Sequence, residues 1–363
     1  MTDYLASLAE MEQSNSREKS DPALSAPLRT YGLNDFLSLN IPVRKMLLSP
    51  WLTEKGLAMI FAPRGIGKTF LGLTAAYAVA VGGEFLGFKA PRPRKVLYID
   101  GEMACSDLQE RVGYIAAGFN AKAPDQDYFR MLSADVQEFG LPDLAMPEGL
   151  RAINNDLKDA DLIVLDNLST LVRSGKENEA EAWSVMQAWI LGQRRAGRSV
   201  LLIHHAGKNG GQRGTSKRED VLDTIIGLER PDGYRSSDGA RFNLKFEKSR
   251  HFHGPDAEDF EARYEVRDGK ALWSRQKIPS KVEKGLAAIS QGMSLRGAAK
   301  ATGIPRSTIQ RHRKMQGQSV TMTVPLSQTL GSGTLGQVET AENAAEFAPP
   351  LMGFDKLTTD PSL

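Results

Sequence analysis

Four nearly unbroken apolar runs recur along the first two thirds of the chain: Leu57 to Phe61, Lys95 to Asp100, Asp161 to Asp166 and Ser199 to His204. Each is short and the last three end in polar residues, the pattern of a strand buried on both faces of a parallel sheet. Stretches of helical composition separate them, at Phe70 to Val81, about Ser106 to Ala117, 150–158 and 178–195. Strands that alternate with helices predict an α/β fold with a mainly parallel central sheet. Beyond residue 220 the texture changes. Asp223 to Arg230, Ala240 to Lys248 and Phe260 to Ala271 read as strands joined by glycine-rich and charged turns, and these are expected to extend the sheet in antiparallel fashion.

The pattern also predicts the domain boundaries. Residues 1–28, rich in Ser, Glu, Asp and Lys, read as a flexible arm, and 29–278 as the main domain. Pro279 and Ser280 form a linker to a small helical unit at 281–316, and 317–363 is a tail rich in Ser, Thr, Gly and Pro. The segment from Phe36 to Trp51 leads into the first strand as a lid or edge. Trp51 itself suits either a core position or stacking on a base.

Composition narrows the picture in three ways. A length of 363 residues with 41% hydrophobic content fits a globular protein of about two domains. A formal charge of +2 predicts no general affinity for nucleic acid, so a basic patch has to be local. Cys105, the single cysteine, excludes an internal disulfide and offers no zinc-ligand spacing, which fits a reducing cytoplasm. The first residues lack the basic and apolar regions of a signal peptide. The longest apolar stretch, Leu71 to Val81, falls short of the ~20 residues that span a membrane.

The first chemical motif follows the first strand. Ala62-Pro63-Arg64-Gly65-Ile66-Gly67-Lys68-Thr69 matches the phosphate-loop pattern G-x-x-x-x-G-K-[ST] at all defined positions but the first. In that pattern backbone N–H groups cradle phosphates, the lysine reaches the β and γ phosphates, and the hydroxyl ligates magnesium. Residues 62 to 70, through Phe70, are therefore the candidate contacts to ATP and Mg²⁺. The helix start beyond Gly67 adds its positive dipole end to the site.

In open parallel sheets ligands lie beyond the carboxyl ends of the strands. There the chain delivers Asp100-Gly101-Glu102, Asp166-Asn167 and His204-His205. Asp166 suits a magnesium-organising carboxylate, together with Thr69. Glu102 suits the group that orients or deprotonates the attacking water. His204 and His205 point to opposite faces of a strand, so a polar contact to the γ phosphate from His205 is expected rather than a metal site. The loop from Gly207 to Arg218 carries Lys208, Arg213, Lys217 and Arg218 and is read either as a clasp on a nucleic-acid backbone or as a solvated surface. Lys248 and Arg250, two residues apart, suit a pair supplied to a phosphate.

The helical unit has its own signature. Ser294 caps a helix running to Thr302, Gly303 turns the chain, and Pro305 precedes a second helix carrying Ile309. Small Ala299, Gly303 and apolar Ile309 occupy the helix-contact, turn and core positions of a helix-turn-helix. Arg306, Ser307, Thr308, Gln310, Arg311 and Arg313 are then the candidate DNA contacts.

Taken together, the phosphate loop, Asp-Gly-Glu, Leu-Asp-Asn, His-His with a basic glycine-rich loop, and Lys-x-Arg resemble the RecA-like ATPases. The likeness is specifically to plasmid and phage hexameric replicative helicases of the RepA and DnaB type, over residues 45 to 275. The resemblance implies Lys68 and Thr69 as phosphate and magnesium contacts, Glu102 as catalytic carboxylate and Asp166 as the acid of the second strand motif. It also implies His205 as γ-phosphate sensor, 207–218 as a DNA-facing loop and Arg111 as a basic residue following the catalytic Glu. Lys248 and Arg250 become a finger pair inserted into a neighbouring subunit's site. The expected protein is an ATP-driven motor on single-stranded DNA, a homo-oligomer, expected as a hexamer, in the cytoplasm. An ATP-switched, site-specific DNA-binding regulator and a filament-forming recombination mediator are the other readings. Ala62 and the helix-turn-helix depart from the core family pattern.

Overall fold

The computed structural model describes residues 28–173, 179–205 and 220–319. The chain divides between Ile278 and Pro279 into two compact units. In the first, helix α1 (Leu33–Ser38) precedes the small strands β1 (Met46–Leu48) and β2 (Leu52–Thr53). Then come β3 (Leu57–Ala62), α2 (Lys68–Val81), the short pair β4 (Glu84–Phe85) and β5 (Phe88–Lys89), β6 (Val96–Asp100), α3 (Cys105–Gly118) and β7 (Phe129–Ser133). The unit continues with α4 (Pro147–Ala152), β8 (Leu162–Asp166), α5 (Leu168–Leu171), α6 (Glu179–Arg195), β9 (Ser199–His205), β10 (Thr224–Glu229), β11 (Arg241–Ser249), β12 (Phe260–Arg267) and β13 (Lys270–Lys277).

One nine-stranded sheet carries this unit, in the order β13-β12-β11-β10-β3-β9-β8-β6-β7. Alternate side chains of each central strand go to opposite faces. Ala58, Ile60, Val164 and Ile203 join one core with the helix α2, whereas Leu57, Met59, Ile163 and Leu202 join the other with Trp183, Met186 and Ile190 of α6. Burial on both faces explains why these strands read as continuous apolar runs. The expected fold class is the one observed: an α/β core with a mainly parallel sheet and antiparallel strands at its C-terminal side.

Three local expectations are corrected, and the two readings of Trp51 resolve to the core one. The strand at 223–230 is parallel, pairing Thr224 with Ala58 of β3, and antiparallel pairing begins only between β10 and β11. Phe260 to Ala271 is not one strand. Asp268 and Gly269 both take positive φ (51° and 70°) and make the two-residue turn of the β12–β13 hairpin, which the Asp-Gly pair signals. The helix expected over 150–158 is α4, which starts on Pro147 and ends before Asn154-Asn155, poor helix formers. Trp51 is buried, in edge contact with Phe88, so it serves the core and not a base.

The second unit comprises α7 (Lys281–Ser290), α8 (Leu295–Thr302) and α9 (Arg306–Ser319). Ser280 and Glu283 form a reciprocal cap on α7, and Ser294 caps α8. Gly303 turns at φ 69°, a conformation that favours glycine. Ile309 is fully buried against Gly285. The small buried residue of α8 is Ala298, one position before the expected Ala299, because the inward stripe centres there. No helix among the described residues is long and apolar enough to cross a membrane.

Candidate active site

The phosphate loop connects β3 to α2. Gly65 (φ 72°) and Gly67 (φ 124°) bend it back, and a Cβ on Gly67 would stand 3.0 Å from that of Ala240. Ala62 is tolerated at the first motif position because that residue ends β3 in extended backbone, paired with His205, where glycine's freedom is not needed. Lys68 is buried and donates from Nζ to the carbonyls of Ala62 (3.0 Å) and Pro63 (2.9 Å). Burial pulls its pKa down to about 8, against the pull of Asp166 and Glu102. Ile66 is buried and anchors the loop in the core, and Ala62 and Pro63 turn only their carbonyls to the lysine.

Three carboxylates face this loop. Asp100 and Asp166 end neighbouring strands directly opposite one another. Asp166 accepts from the Tyr98 hydroxyl (2.7 Å) and is hydrogen-bonded to Thr69. Burial raises its pKa, partly offset by those two bonds. Asp100 accepts from the backbone N–H of Glu102 (3.2 Å) and Met103 (2.8 Å), which fixes the turn that presents Glu102. Burial pushes the Asp100 pKa up to about 6. Glu102 is half exposed at the cleft, where the Asn167 amide donates to its Oε2 and His205 Nε2 lies 3.5 Å from the same oxygen. Burial lowers the His205 pKa below its ordinary value.

The cleft these residues line has a volume of about 670 Å³, within the range of small-molecule sites. The Thr69 hydroxyl and the Asp166 carboxylate lie together as oxygen donors of the kind a hard cation takes. The second oxygen of Asp100 is buried and has no hydrogen-bond partner. A cation or its water would satisfy it, so the residues present fit Mg²⁺ with a nucleotide.

Comparison with known proteins agrees with this geometry. Residues 25–211, more than half of the chain, match the AAA domain family AAA_25. The chain belongs to this family. Residues 281–319 match the helix-turn-helix Psq domain. Among solved structures, a KaiC-like protein from Pyrococcus horikoshii OT3 is similar at 16% identity and TM-score 0.41, covering 63% of this chain and 93% of its own. The flagellar accessory protein FlaH from Methanocaldococcus jannaschii is similar at 10% identity and TM-score 0.42, covering 62% and 91%. No curated protein matches the sequence significantly.

The AAA domain brings most of the residues singled out in its sequence to one place. Arg64, Gly65, Gly67, Lys68, Thr69, Phe70, Glu102, Asp166 and His205 all line the cleft. Phe70 stacks on Tyr264 with centroids 4.4 Å apart, and the Arg111 guanidinium lies 4.4 Å from the Phe70 ring centroid. Four contributors were not assigned from sequence: Tyr98, Asp100, Asn167 and the β10–β11 connection, from which Tyr234 and Ser236 reach the cleft. Strand-tip position flags Asp100 and Asn167, and a tyrosine inside an aliphatic run flags Tyr98, whose hydroxyl needs a partner. Nothing in the sequence flags the connection.

Lys248 and Arg250 do not line the cleft of their own AAA domain. Lys248 is paired with Ile225 on β10, and the Arg250 N–H bonds to the Asp223 carbonyl. Asp223 in turn bonds to Leu57, the first residue of β3. The phosphate loop leaves the far end of that strand, roughly 16 Å away at ~3.3 Å per residue. Asp223 is buried and gathers Arg44, Arg194, Arg250 and His251 around one carboxylate. Lys208, Arg213, Lys217 and Arg218 lie outside the described residues. On α9, Arg306, Ser307, Gln310, Arg311 and Arg313 are exposed and Thr308 is partly buried.

Proposed function

We propose that this AAA-domain protein is an ATP-hydrolysing motor on DNA, a RepA-like replicative helicase of a plasmid, phage or other mobile element, working as a homo-oligomer and specifically a hexamer. The observation that carries the reading is Glu102, held at the mouth of the phosphate-loop cleft by Asn167 and His205 and facing Lys68. A carboxylate so placed accepts a proton from the water that attacks the γ phosphate of ATP. Lys68 meets the β and γ phosphates, while neutral His205 donates to the γ phosphate and reports its presence to Glu102. Thr69 and Asp166 hold Mg²⁺, which when bound neutralises charge on the phosphate oxygens. Arg250, remote from its own cleft, acts in a neighbour's, with Lys248 beside it. The DNA contacts are Lys208, Arg213, Lys217 and Arg218 in the loop, and the exposed face of α9.

The helix-turn-helix supports a second reading, an ATP-switched DNA-binding regulator that recognises an origin. ATP turnover measured with and without single-stranded DNA, beside strand displacement on a forked duplex, separates the two. The motor reading expects DNA-stimulated turnover and strand separation. Turnover without separation sinks it in favour of the regulator.

A further inference from the structure

Tyr98 interrupts the aliphatic run of β6 and is completely buried. Phenylalanine would fill the same space without carrying a hydroxyl into the core, where an O–H that lacks a partner is costly. The Tyr98 hydroxyl has a partner: it donates to Oδ2 of Asp166, at 2.7 Å.

Strand register brings the two together. Tyr98 stands directly opposite Val164, and Asp100 opposite Asp166, so Tyr98 and Asp166 occupy one face of the sheet, two positions out of step. Tyr98 joins the core that α2 covers. On α2, Gly72 follows Lys68 by four residues and Thr69 by three, which puts it on their side of the helix. Gly72 is buried, and a Cβ there would collide with Cδ1 of Ile203 and stand 3.5 Å from the Tyr98 oxygen. Glycine weakens a helix interior, and its place here is explained by the close approach of α2 to the sheet over Tyr98. The ring is thus closed in by its strand neighbours and by the helix that carries Thr69.

The two acids at the strand tips are held differently. Asp100 accepts from the backbone N–H groups of Glu102 and Met103. Asp166 is oriented by two hydroxyls, those of Tyr98 and Thr69. Thr69 is the hydroxyl assigned to the cation, so Tyr98 is the one that keeps the carboxylate in place. With Oδ2 engaged, Asp166 offers a cation one oxygen unless a buried hydrogen bond breaks. That limits the choice of cation, because Ca²⁺ readily takes both oxygens of a carboxylate in flexible coordination, whereas Mg²⁺ keeps several waters and a near-octahedral shell. We propose that Tyr98 is a positioning residue that holds Asp166 in this one-oxygen presentation and so makes the site select Mg²⁺ over Ca²⁺. The inference rests on the assignment of Thr69 and Asp166 to the cation in the proposed function.

The test uses the full chain and reads binding, not turnover. A fluorescent non-hydrolysable ATP analogue is bound at rising Mg²⁺ or rising Ca²⁺ to the natural protein and to Tyr98→Phe, Tyr98→Met and Asp166→Asn. Binding of the analogue in chelator reports that the phosphate loop is intact, and it should stay within about threefold in both Tyr98 variants. Half-saturating Mg²⁺ should rise by about tenfold in each of them and half-saturating Ca²⁺ by less than about twofold, which narrows the preference for Mg²⁺. Equal weakening of both cations marks Tyr98 as a packing residue and overturns the proposal, and so does an unchanged response to both. Asp166→Asn separates this failure from that of the underlying assignment. A natural Mg²⁺ dependence in that variant removes Asp166 from the cation. Dependence lost there but kept in the Tyr98 variants removes only the role of Tyr98.

Discussion

The side-chain amide of Asn167 donates to Oε2 of Glu102, while its carbonyl oxygen accepts from Ser169 N–H at 2.9 Å and caps α5. One buried residue thus ties the carboxylate of one strand tip to the helix that follows the next. Asn167→Asp keeps the cap acceptor, removes the donor and sets a like charge against Glu102. We expect the turnover rate to fall by about 10- to 100-fold with nucleotide affinity changed less than about threefold. Single-turnover hydrolysis beside analogue binding decides it, and an unchanged rate would show that Glu102 is positioned by other groups.

Arg250 lies at the end of the sheet opposite the phosphate loop. If it completes a neighbour's site, Arg250→Ala should lower turnover by about 10³-fold or more while each subunit still binds ATP. Adding a Glu102→Gln variant, whose own cleft is inactive but whose Arg250 is intact, should restore part of the activity in mixed assemblies. No recovery on mixing argues against a contribution between subunits.

Lys68 gives a pH dependence of defined sign. Its pKa in the free protein is pulled to about 8 by burial, and a bound polyphosphate raises it again. ATP therefore binds with uptake of a proton above pH 8 and without it below. Affinity should be level up to about pH 8 and then fall by up to tenfold per pH unit. Analogue titrations between pH 7 and 9.5 check this, and a flat profile contradicts the lysine's assigned contact.

In the C-terminal unit, Ile309 is the fully buried plug of three short helices. Ile309→Ala should cost that unit about 2–4 kcal/mol, read as a lowered melting temperature of a 279–319 fragment. Arg306→Ala and Arg311→Ala, both exposed on α9, should leave melting unchanged. Each should weaken duplex DNA binding and reduce the salt slope by about one where the arginine meets a phosphate. Unchanged DNA affinity in both would remove α9 from the interface.

Most of the fold was legible because its signals are local. A strand buried on two faces must be apolar throughout, so Leu57–Ala62, Val96–Asp100, Leu162–Asp166 and Ser199–His205 announce themselves. The phosphate loop, the capped helices and Gly303 are likewise short-range chemistry. The direction of β10 was not legible. Parallel and antiparallel strands share the same apolar run, and only pairing of Thr224 with Ala58 settles which applies. The β12–β13 turn is written locally in Asp268-Gly269, a pair suited to the positive φ that a two-residue hairpin turn requires.

The sequence alone determined which residues could meet a nucleotide: Lys68 and Thr69 by their motif, Glu102, Asp166 and His205 by standing at strand ends. Tertiary structure alone decided how they are held. Tyr98 on Asp166, Asp100 under the Glu102 turn and Asn167 on Glu102 are contacts between strands 60 or more residues apart, or across a turn whose shape depends on its surroundings. The same holds for the exposure of α1, since its apolar spacing predicts a buried face and only the packed fold shows that none of this chain's described residues covers it. Burial is a property of neighbours, and neighbours are chosen by the folded sheet.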